Sequence, residues 1–324
     1  METQFVVQKP DQGQPWDVAI IGGGPAALTA AIYTTRGNAS TLIFAGDAWG
    51  GQLMLTSTVD NFPGFPEGIE GPELMDKMRK QAERFGAELL TEQAERLLLD
   101  KQPFTIHSGD KTYEARSIIF ATGAETKWLG IPGEDRLRGR GVSSCAPCDA
   151  PFFKDKVVAV VGGGDSAMEE ALVISKYARE VILLHRRNEF KASAAMQEKV
   201  KANKKIRIEW NTEVLEVLGE SKLEKAKLKT IDKGEWELAL DGVFVAIGHT
   251  PSTTLVRDAI TLDEVGFIKP TPTDHTQMST NIPGVFVAGD VHDHHYKQAI
   301  TAAGFGAMAA LETLSFLDKN TPSW

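Results

Sequence analysis

Cysteine is almost missing from this chain: its 324 residues include two, both in the stretch Cys145-Ala146-Pro147-Cys148. With no others, the disulfide framework that staples small secreted domains is excluded. A tetrahedral zinc site is disfavoured as well, because there is no second C-x-x-C and the seven histidines lie far from the pair in sequence. Excess positive charge is lacking, and a formal net charge of -9 gives no electrostatic footing on a nucleic-acid backbone. Met1 to Pro15 lacks the basic start and apolar core of a secretion signal, and no apolar run reads as long enough to span a bilayer. The expectation is a soluble, cytoplasmic protein with a short mobile N-terminal arm and neither a nucleic-acid nor a membrane partner. A hydrophobic content of 42% over this length supplies a large core, divided between two domains.

What is present centres on the cysteine pair. Were cysteine used only as a small apolar core residue, nothing would favour placing the whole supply in one C-x-x-C, so redox use is the favoured reading. The i, i+3 spacing lets the two sulfurs meet where a segment opens a helix, and a helix N-terminus favours the thiolate, the attacking species in disulfide exchange. Half of a zinc site and an inert buried pair are the competing readings. Asp149 and Arg140 nearby make the segment polar rather than core-like.

Two glycine-rich fingerprints flank the pair. Asp17 to Ile21 is a short apolar run that ends in Gly22-Gly23-Gly24-Pro25-Ala26-Ala27, after which Leu28 to Tyr33 reads as helix. The design recurs at Val157 to Val161, Gly162-Gly163-Gly164-Asp165-Ser166-Ala167 and a helix over Met168 to Tyr177. Strand, glycine turn and helix, twice over, predict two dinucleotide sites with pyrophosphates at helix N-termini. Beyond the second helix, strand Val181 to Leu184 leads into His185-Arg186-Arg187 and Lys191, cations that suit a 2'-phosphate and hence NADPH. A solvated basic loop is the plainer alternative. After the first helix, strand Thr41 to Phe44 ends in Ala45-Gly46-Asp47 with no basic cluster, which suits an unphosphorylated adenosine such as that of FAD.

Apolar strands also end in glycine turns at Gly123, Gly248 and Gly289, and their unbroken apolar character fits strands covered on both faces. The segment between Gly123 and Thr250 holds a complete nucleotide unit of its own. The predicted fold is therefore α/β with two Rossmann-like dinucleotide-binding domains, the NADPH domain (125–250) inserted into the FAD domain (1–124 and 251–324). The crossings near Glu125 and Thr250-Pro251 would form a paired hinge.

These residues carry a resemblance. From about Asp17 to about Leu317 the chain resembles the low-molecular-weight thioredoxin reductases, through Gly22 to Ala26, Gly50-Gly51-Gln52-Leu53, Asn61-Phe62-Pro63-Gly64, Ala121-Thr122-Gly123, Cys145 to Asp149, Gly162 to Ala167, His185-Arg186-Arg187, Ala288-Gly289-Asp290 and Gln298-Ala299. The resemblance implies tightly bound FAD, NADPH as donor, a thioredoxin or thioredoxin-like protein as disulfide substrate, and a homodimer. It implies that Gly22, Gly24, Pro25 and Ala26 hold FAD, with Gly51, Gln52, Leu53, Asn61, Asp290, Gln298 and Ala299 around the flavin and its ribityl chain, and Ala121, Thr122 and Gly123 near the adenosine half. NADPH would lie on Gly162, Gly164, Asp165, Ser166, His185, Arg186, Arg187 and Lys191, with Ile247 and Gly248 beside it and Glu169 at the nicotinamide. Cys148 would face the flavin, Cys145 would attack the substrate disulfide, and Asp149 would protonate the leaving thiolate. Because nicotinamide and disulfide cannot share one flavin face, the inserted domain would swing between them.

The chain departs from the family pattern at Pro147 for Thr, Ala150 for Gly, Lys191 for Arg, Ala27 for the third glycine of the FAD turn, and Ala45, which leaves the adenine ribose without a carboxylate. His292-Asp293-His294-His295 reads as flavin surroundings rather than a metal site, and Lys199 to Lys205 as a solvated basic face. Phe152, Phe153 and Arg140 flank the dithiol as partner contacts or as ordinary packing. Trp324 reads as a frayed tail, with closure over a flavin as the alternative. Other functions considered are a flavin dithiol oxidase, a reductase fed by ferredoxin or another donor, and a redox sensor without turnover.

Overall fold

A computed structural model describes residues 6–47, 49–56 and 58–319. Trp324 lies outside them. The chain first builds β1 (Trp16–Ile21), whose side chains are buried from Val18 onward, as expected of a strand covered on both faces. A glycine turn leads into α1 (Pro25–Arg36), where Pro25 sits in the first turn and so gives up no intrahelical donor. β2 (Thr41–Phe44), α2 (Gly71–Arg84) and β3 (Glu88–Leu90) follow, then the meander β4 (Arg96–Leu98), β5 (Phe104–Ser108) and β6 (Lys111–Phe120). The strand order is β3-β2-β1-β6-β5-β4. β6 serves two partners: Lys111 to Ala115 pairs antiparallel with β5, and Ala115 to Phe120 runs parallel beside β1.

The described residues divide into two units, one running up to Glu125 and again from Thr250, the other Thr126–His249. The second unit contains β7 (Val142–Ser143), α3 (Ala146–Asp149), β8 (Val157–Gly162), α4 (Asp165–Ile174), β9 (Glu180–Leu184), α5 (Ala194–Ala202) and β10 (Ile206–Glu209). It continues with an antiparallel ribbon, β11 (Thr212–Leu218), β12 (Lys225–Thr230) and β13 (Gly234–Ala239), and closes with β14 (Gly242–Ala246). Its main sheet is parallel throughout, in the order β7-β14-β8-β9-β10. Back in the first unit, β15 (Val285–Val287) adds a parallel strand beside β6, and α6 (Ala299–Lys319) crosses α1. Two dinucleotide-binding sheets, one inserted in the other, match the predicted fold class.

Three expectations are corrected. The fingerprint helix of the second unit opens at Asp165, not Met168, because Gly164 already holds the extended cap conformation, and it ends at Ile174. The N-terminal arm is docked from Val6 on: Val7 is buried and donates its N–H to the Phe85 carbonyl at 3.1 Å, while Lys9 pairs with Glu88. And α6, at 21 residues, is apolar enough to cross a bilayer by length and composition. Its small residues serve a different end, since Ala302, Ala303, Gly306, Ala309 and Ala310 are buried as α6 meets the alanine face of α1. The basic run Lys199 to Lys205 leaves Lys199 and Lys201 in solvent at the end of α5, while the Lys205 Nζ donates to the Ala178 carbonyl at 2.9 Å.

Candidate active site

The first glycine turn sits where β1, β6 and β15 end together. Ala121 donates its N–H to the Ile21 carbonyl (2.8 Å), Ala288 to that of Phe120 (2.7 Å), and Gly22 to that of Phe44 (2.9 Å). Gly22 has φ +129°, and a side-chain carbon there would lie 2.1 Å from the Ala121 carbonyl oxygen, so no other residue fits. At Gly24, by contrast, such a carbon meets nothing within 4 Å. This open space at the start of α1, whose first N–H groups have no intrahelical partner, is a cradle that fits a pyrophosphate.

Side chains distant in sequence meet within the same unit. The Asn61 amide donates to Gln298 Oε1 at 3.1 Å, the Gln52 amide to the Ala124 carbonyl, and the Thr122 hydroxyl to the Ser252 carbonyl at 2.8 Å. Asp290 follows β15 in a one-turn 3-10 segment, and its Oδ1 is buried without a hydrogen-bond partner. Burial, and then the charge of Asp293, push its carboxyl up to about 6. A buried acceptor lacking a donor is what a dinucleotide's hydroxyls satisfy, so these residues fit FAD. The His292 Nδ1 is likewise buried and unpartnered, and burial holds that ring below the usual histidine range. Asp293 accepts the N–H groups of His295, Tyr296 and Lys297 at 2.8, 2.9 and 2.8 Å, and His294 pairs with Asp263. Among the described residues, no three His, Cys, Asp or Glu side chains stand where they could hold a metal.

The second turn is roofed by its own basic loop. Lys191 and Ala192 donate N–H groups to the Gly163 carbonyl at 2.8 and 3.1 Å, and Asp165 Oδ1 accepts from Ser193 N–H and Oγ at 2.9 and 2.8 Å. Arg186, Arg187 and Lys191 are exposed. His185 is not: its ring is buried, with Nδ1 and Nε2 at 2.9 and 2.8 Å from the carbonyl oxygens of Gly162 and Glu189. It packs so closely on Gly163 that a side-chain carbon there would lie 2.1 Å from it. His185 therefore shapes the turn, and the three exposed cations are those available to a 2'-phosphate. Gly164 offers the same open space as Gly24, and Glu169 is exposed on α4.

Cys145 caps α3 and is joined to Cys148 in a disulfide with Cα atoms 5.3 Å apart. Ser143 stands between this pair and Asp149: its Oγ accepts the Cys145 N–H at 3.1 Å and its hydroxyl donates to the Asp149 carboxylate. Burial raises the Asp149 carboxyl above the usual range, and the Ser143 bond only partly offsets this. Phe153 is buried edge-on to Phe244, with ring centroids 5.2 Å apart, while Phe152 is 52% exposed beside the dithiol and Arg140 is exposed. Two residues at this site, Ser143 and Glu170, were not singled out in the sequence. Ser143 is two residues ahead of Cys145, and Glu170 is the second acid of a Glu169-Glu170 pair in the fingerprint helix.

A dinucleotide cradle in each unit, with a dithiol in one of them that can be oxidised and reduced, defines a nucleotide-linked disulfide oxidoreductase. The family model described as pyridine nucleotide-disulphide oxidoreductase matches residues 16–306, and the chain belongs to that family. It is 49% identical over 302 residues to a thioredoxin reductase of Mycolicibacterium smegmatis, covering 93% of this chain and 96% of that one. It is 47% identical over 313 residues to the NADPH-dependent thioredoxin reductase 3 of Arabidopsis thaliana, spanning 94% of this chain but 59% of that longer protein. The solved thioredoxin reductase from Giardia duodenalis superposes with a TM-score of 0.89 at 39% identity, covering 94% of this chain and 100% of the other.

Proposed function

We propose that this protein reduces thioredoxin, or a thioredoxin-like protein disulfide, with electrons from NADPH by way of FAD and the Cys145/Cys148 pair. The observation that carries this reading is the disulfide formed by the chain's only two cysteines, at a helix start and beside a carboxyl that burial biases toward its acid form. In this reading residues 1–124 and 251–324 hold FAD on the Gly22–Gly24 cradle, with Gln52, Asn61, Asp290 and Gln298 about the flavin. Residues 125–250 hold NADPH on the Gly162–Gly164 turn, where Arg186, Arg187 and Lys191 neutralise the 2'-phosphate. These cations tell against an oxidase or a ferredoxin-fed enzyme, which would need no phosphate site.

FAD held on the Gly22–Gly24 cradle would supply the two-electron chemistry that links NADPH to the disulfide. The rest of the work falls to the chain. Cys145, at the start of α3, attacks the substrate disulfide as a thiolate, and Asp149 gives its proton to the departing sulfur. Cys148 then closes the enzyme disulfide, and it would be the sulfur that takes electrons from the flavin. Exposed Phe152 and Arg140 fit a docking role for the partner protein. A homodimer is supported by Ile300, Met308 and Leu311, apolar and 42%, 38% and 56% exposed along one stripe of α6. Use of NADPH and the scarcity of cysteine fit a cytoplasmic setting.

The test is Cys145→Ser. NADPH should still bleach the flavin of this variant, while turnover of a thioredoxin disulfide stops. Loss of flavin reduction itself would overturn the roles assigned to the two sulfurs.

A further inference from the structure

α3 packs on α4, and the charge of Asp149, the acid behind the dithiol, bears on Glu170. Glu170 stands apart from the other carboxyls of this unit. Its Oε2 is buried and has neither a donor nor a cation. The charges that act on it are Asp149 from α3 and Glu169 from α4 itself, both acids. α5, β8, β9, β14 and the turn Ala150–Phe153, all packed on α4, bring it no charge of either sign. A carboxylate oxygen buried without a donor is costly, and protonation removes that cost. Two carboxyls that face each other away from water also tend to retain one proton between them.

We propose that Glu170 is the proton store behind Asp149, a positioning residue that keeps one proton on the Asp149/Glu170 pair until disulfide exchange draws on it. The proposal rests on the thioredoxin-reductase reading and names how its proton is carried. The Cys145 thiolate attacks one sulfur of the substrate disulfide. The new Cys145–substrate S–S bond forms, the substrate S–S bond breaks, and the expelled substrate thiolate takes the proton of Asp149. That proton is the single one the Asp149/Glu170 pair holds, so the step leaves both carboxyls ionised. The Cys148 thiol then attacks Cys145 Sγ, forming the enzyme disulfide and releasing the second substrate sulfur, and the Cys148 proton returns to the carboxyl pair or leaves with that sulfur. The enzyme dithiol loses two electrons and the substrate disulfide gains two. Ser143, bonded to both Asp149 and the Cys145 N–H, fixes the near end of this chain of groups.

Burial, Asp149 and Glu169 together push the Glu170 carboxyl up to about 8, so the pair holds its proton to that pH. In Glu170→Gln only Asp149 remains, raised by its own burial but with no second carboxyl to share the proton, and it releases that proton earlier. The experiment uses the FAD-loaded enzyme with oxidised thioredoxin as probe. The alkaline limb of kcat/KM for thioredoxin should move down by about one pH unit or more, with a loss on the order of tenfold at pH 8 and little change near pH 6. Glu170→Asp should restore the limb. A yellow Glu170→Gln protein that NADPH bleaches at the wild-type rate shows that folding and cofactor sites are intact. Independently of any partner protein, the infrared band of a protonated carboxyl that titrates near pH 8 in the wild type should be missing from Glu170→Gln. A wild-type pH profile in Glu170→Gln, or persistence of that band, would overturn the proposal. Failure of the wild type to turn over thioredoxin while the band behaves as expected would instead sink the parent reading.

Discussion

Asp290 shows most clearly how a single side chain reports what the fold is built to receive. Its carboxyl is pushed up to about 6 from an ordinary 3.8, so the proton is held more tightly folded than unfolded. That stabilisation is complete below pH 3.8 and lost as pH rises through 6. Protein stripped of FAD should therefore lose up to roughly 3 kcal/mol of stability between pH 4 and pH 7 from this group. Thermal melts of stripped wild type and Asp290→Asn should diverge, with the variant losing less over that range, while its affinity for FAD falls on the order of tenfold. Identical pH dependence in both proteins would show that the carboxyl does not carry the strain. The position of Asp290 was legible in sequence because it follows a strand and glycine within a local motif. Its missing donor was not, since that depends on which side chains the tertiary fold places around it. His185 illustrates the opposite error: its place in a basic triplet reads as ligand, yet packing turns the ring inward against Gly163.

At the scale of elements, the crossing of α1 and α6 sets how the first cradle is held. A side-chain carbon on Gly306 would lie 2.2 Å from the Ala26 carbonyl oxygen, a main-chain atom in the first turn of α1 that cannot move aside alone. Gly306→Ala should destabilise this unit by about 2 kcal/mol, within the usual range for overpacking, and loosen FAD by displacing the helix start. Denaturant melts together with flavin retention on gel filtration check it; wild-type values in both would mean that the helices part without cost. Strands and glycine turns were legible because their signals are contained in ten or so consecutive residues, as at Val157 to Gly164. The long α6 was misjudged because alanine and glycine read as weakly apolar one at a time, whereas together they make a stripe fit for close helix packing.

For the molecule as a whole, the insertion of one nucleotide unit into another was readable from a second complete strand-turn-helix lying between the halves of the first. The structure divides the chain after Glu125 and before Thr250, with strands Ala124–Thr126 and His249–Pro251 carrying the crossings. That Asp149 and Glu170 lie on helices packed together was hidden, because twenty residues of intervening chain must fold before those helices meet. In the proposed reading, function at this scale is a division of labour, with electrons entering at a nucleotide site on the inserted unit and leaving through a dithiol on that same unit. The measurement that tests this most directly is an anaerobic titration of the yellow protein, following flavin absorbance as NADPH or NADH is added and then oxidised thioredoxin. NADPH should bleach the flavin at far lower concentration than NADH, and thioredoxin should restore the colour. A flavin that NADPH leaves oxidised, or that stays reduced when thioredoxin is added, would contradict the account.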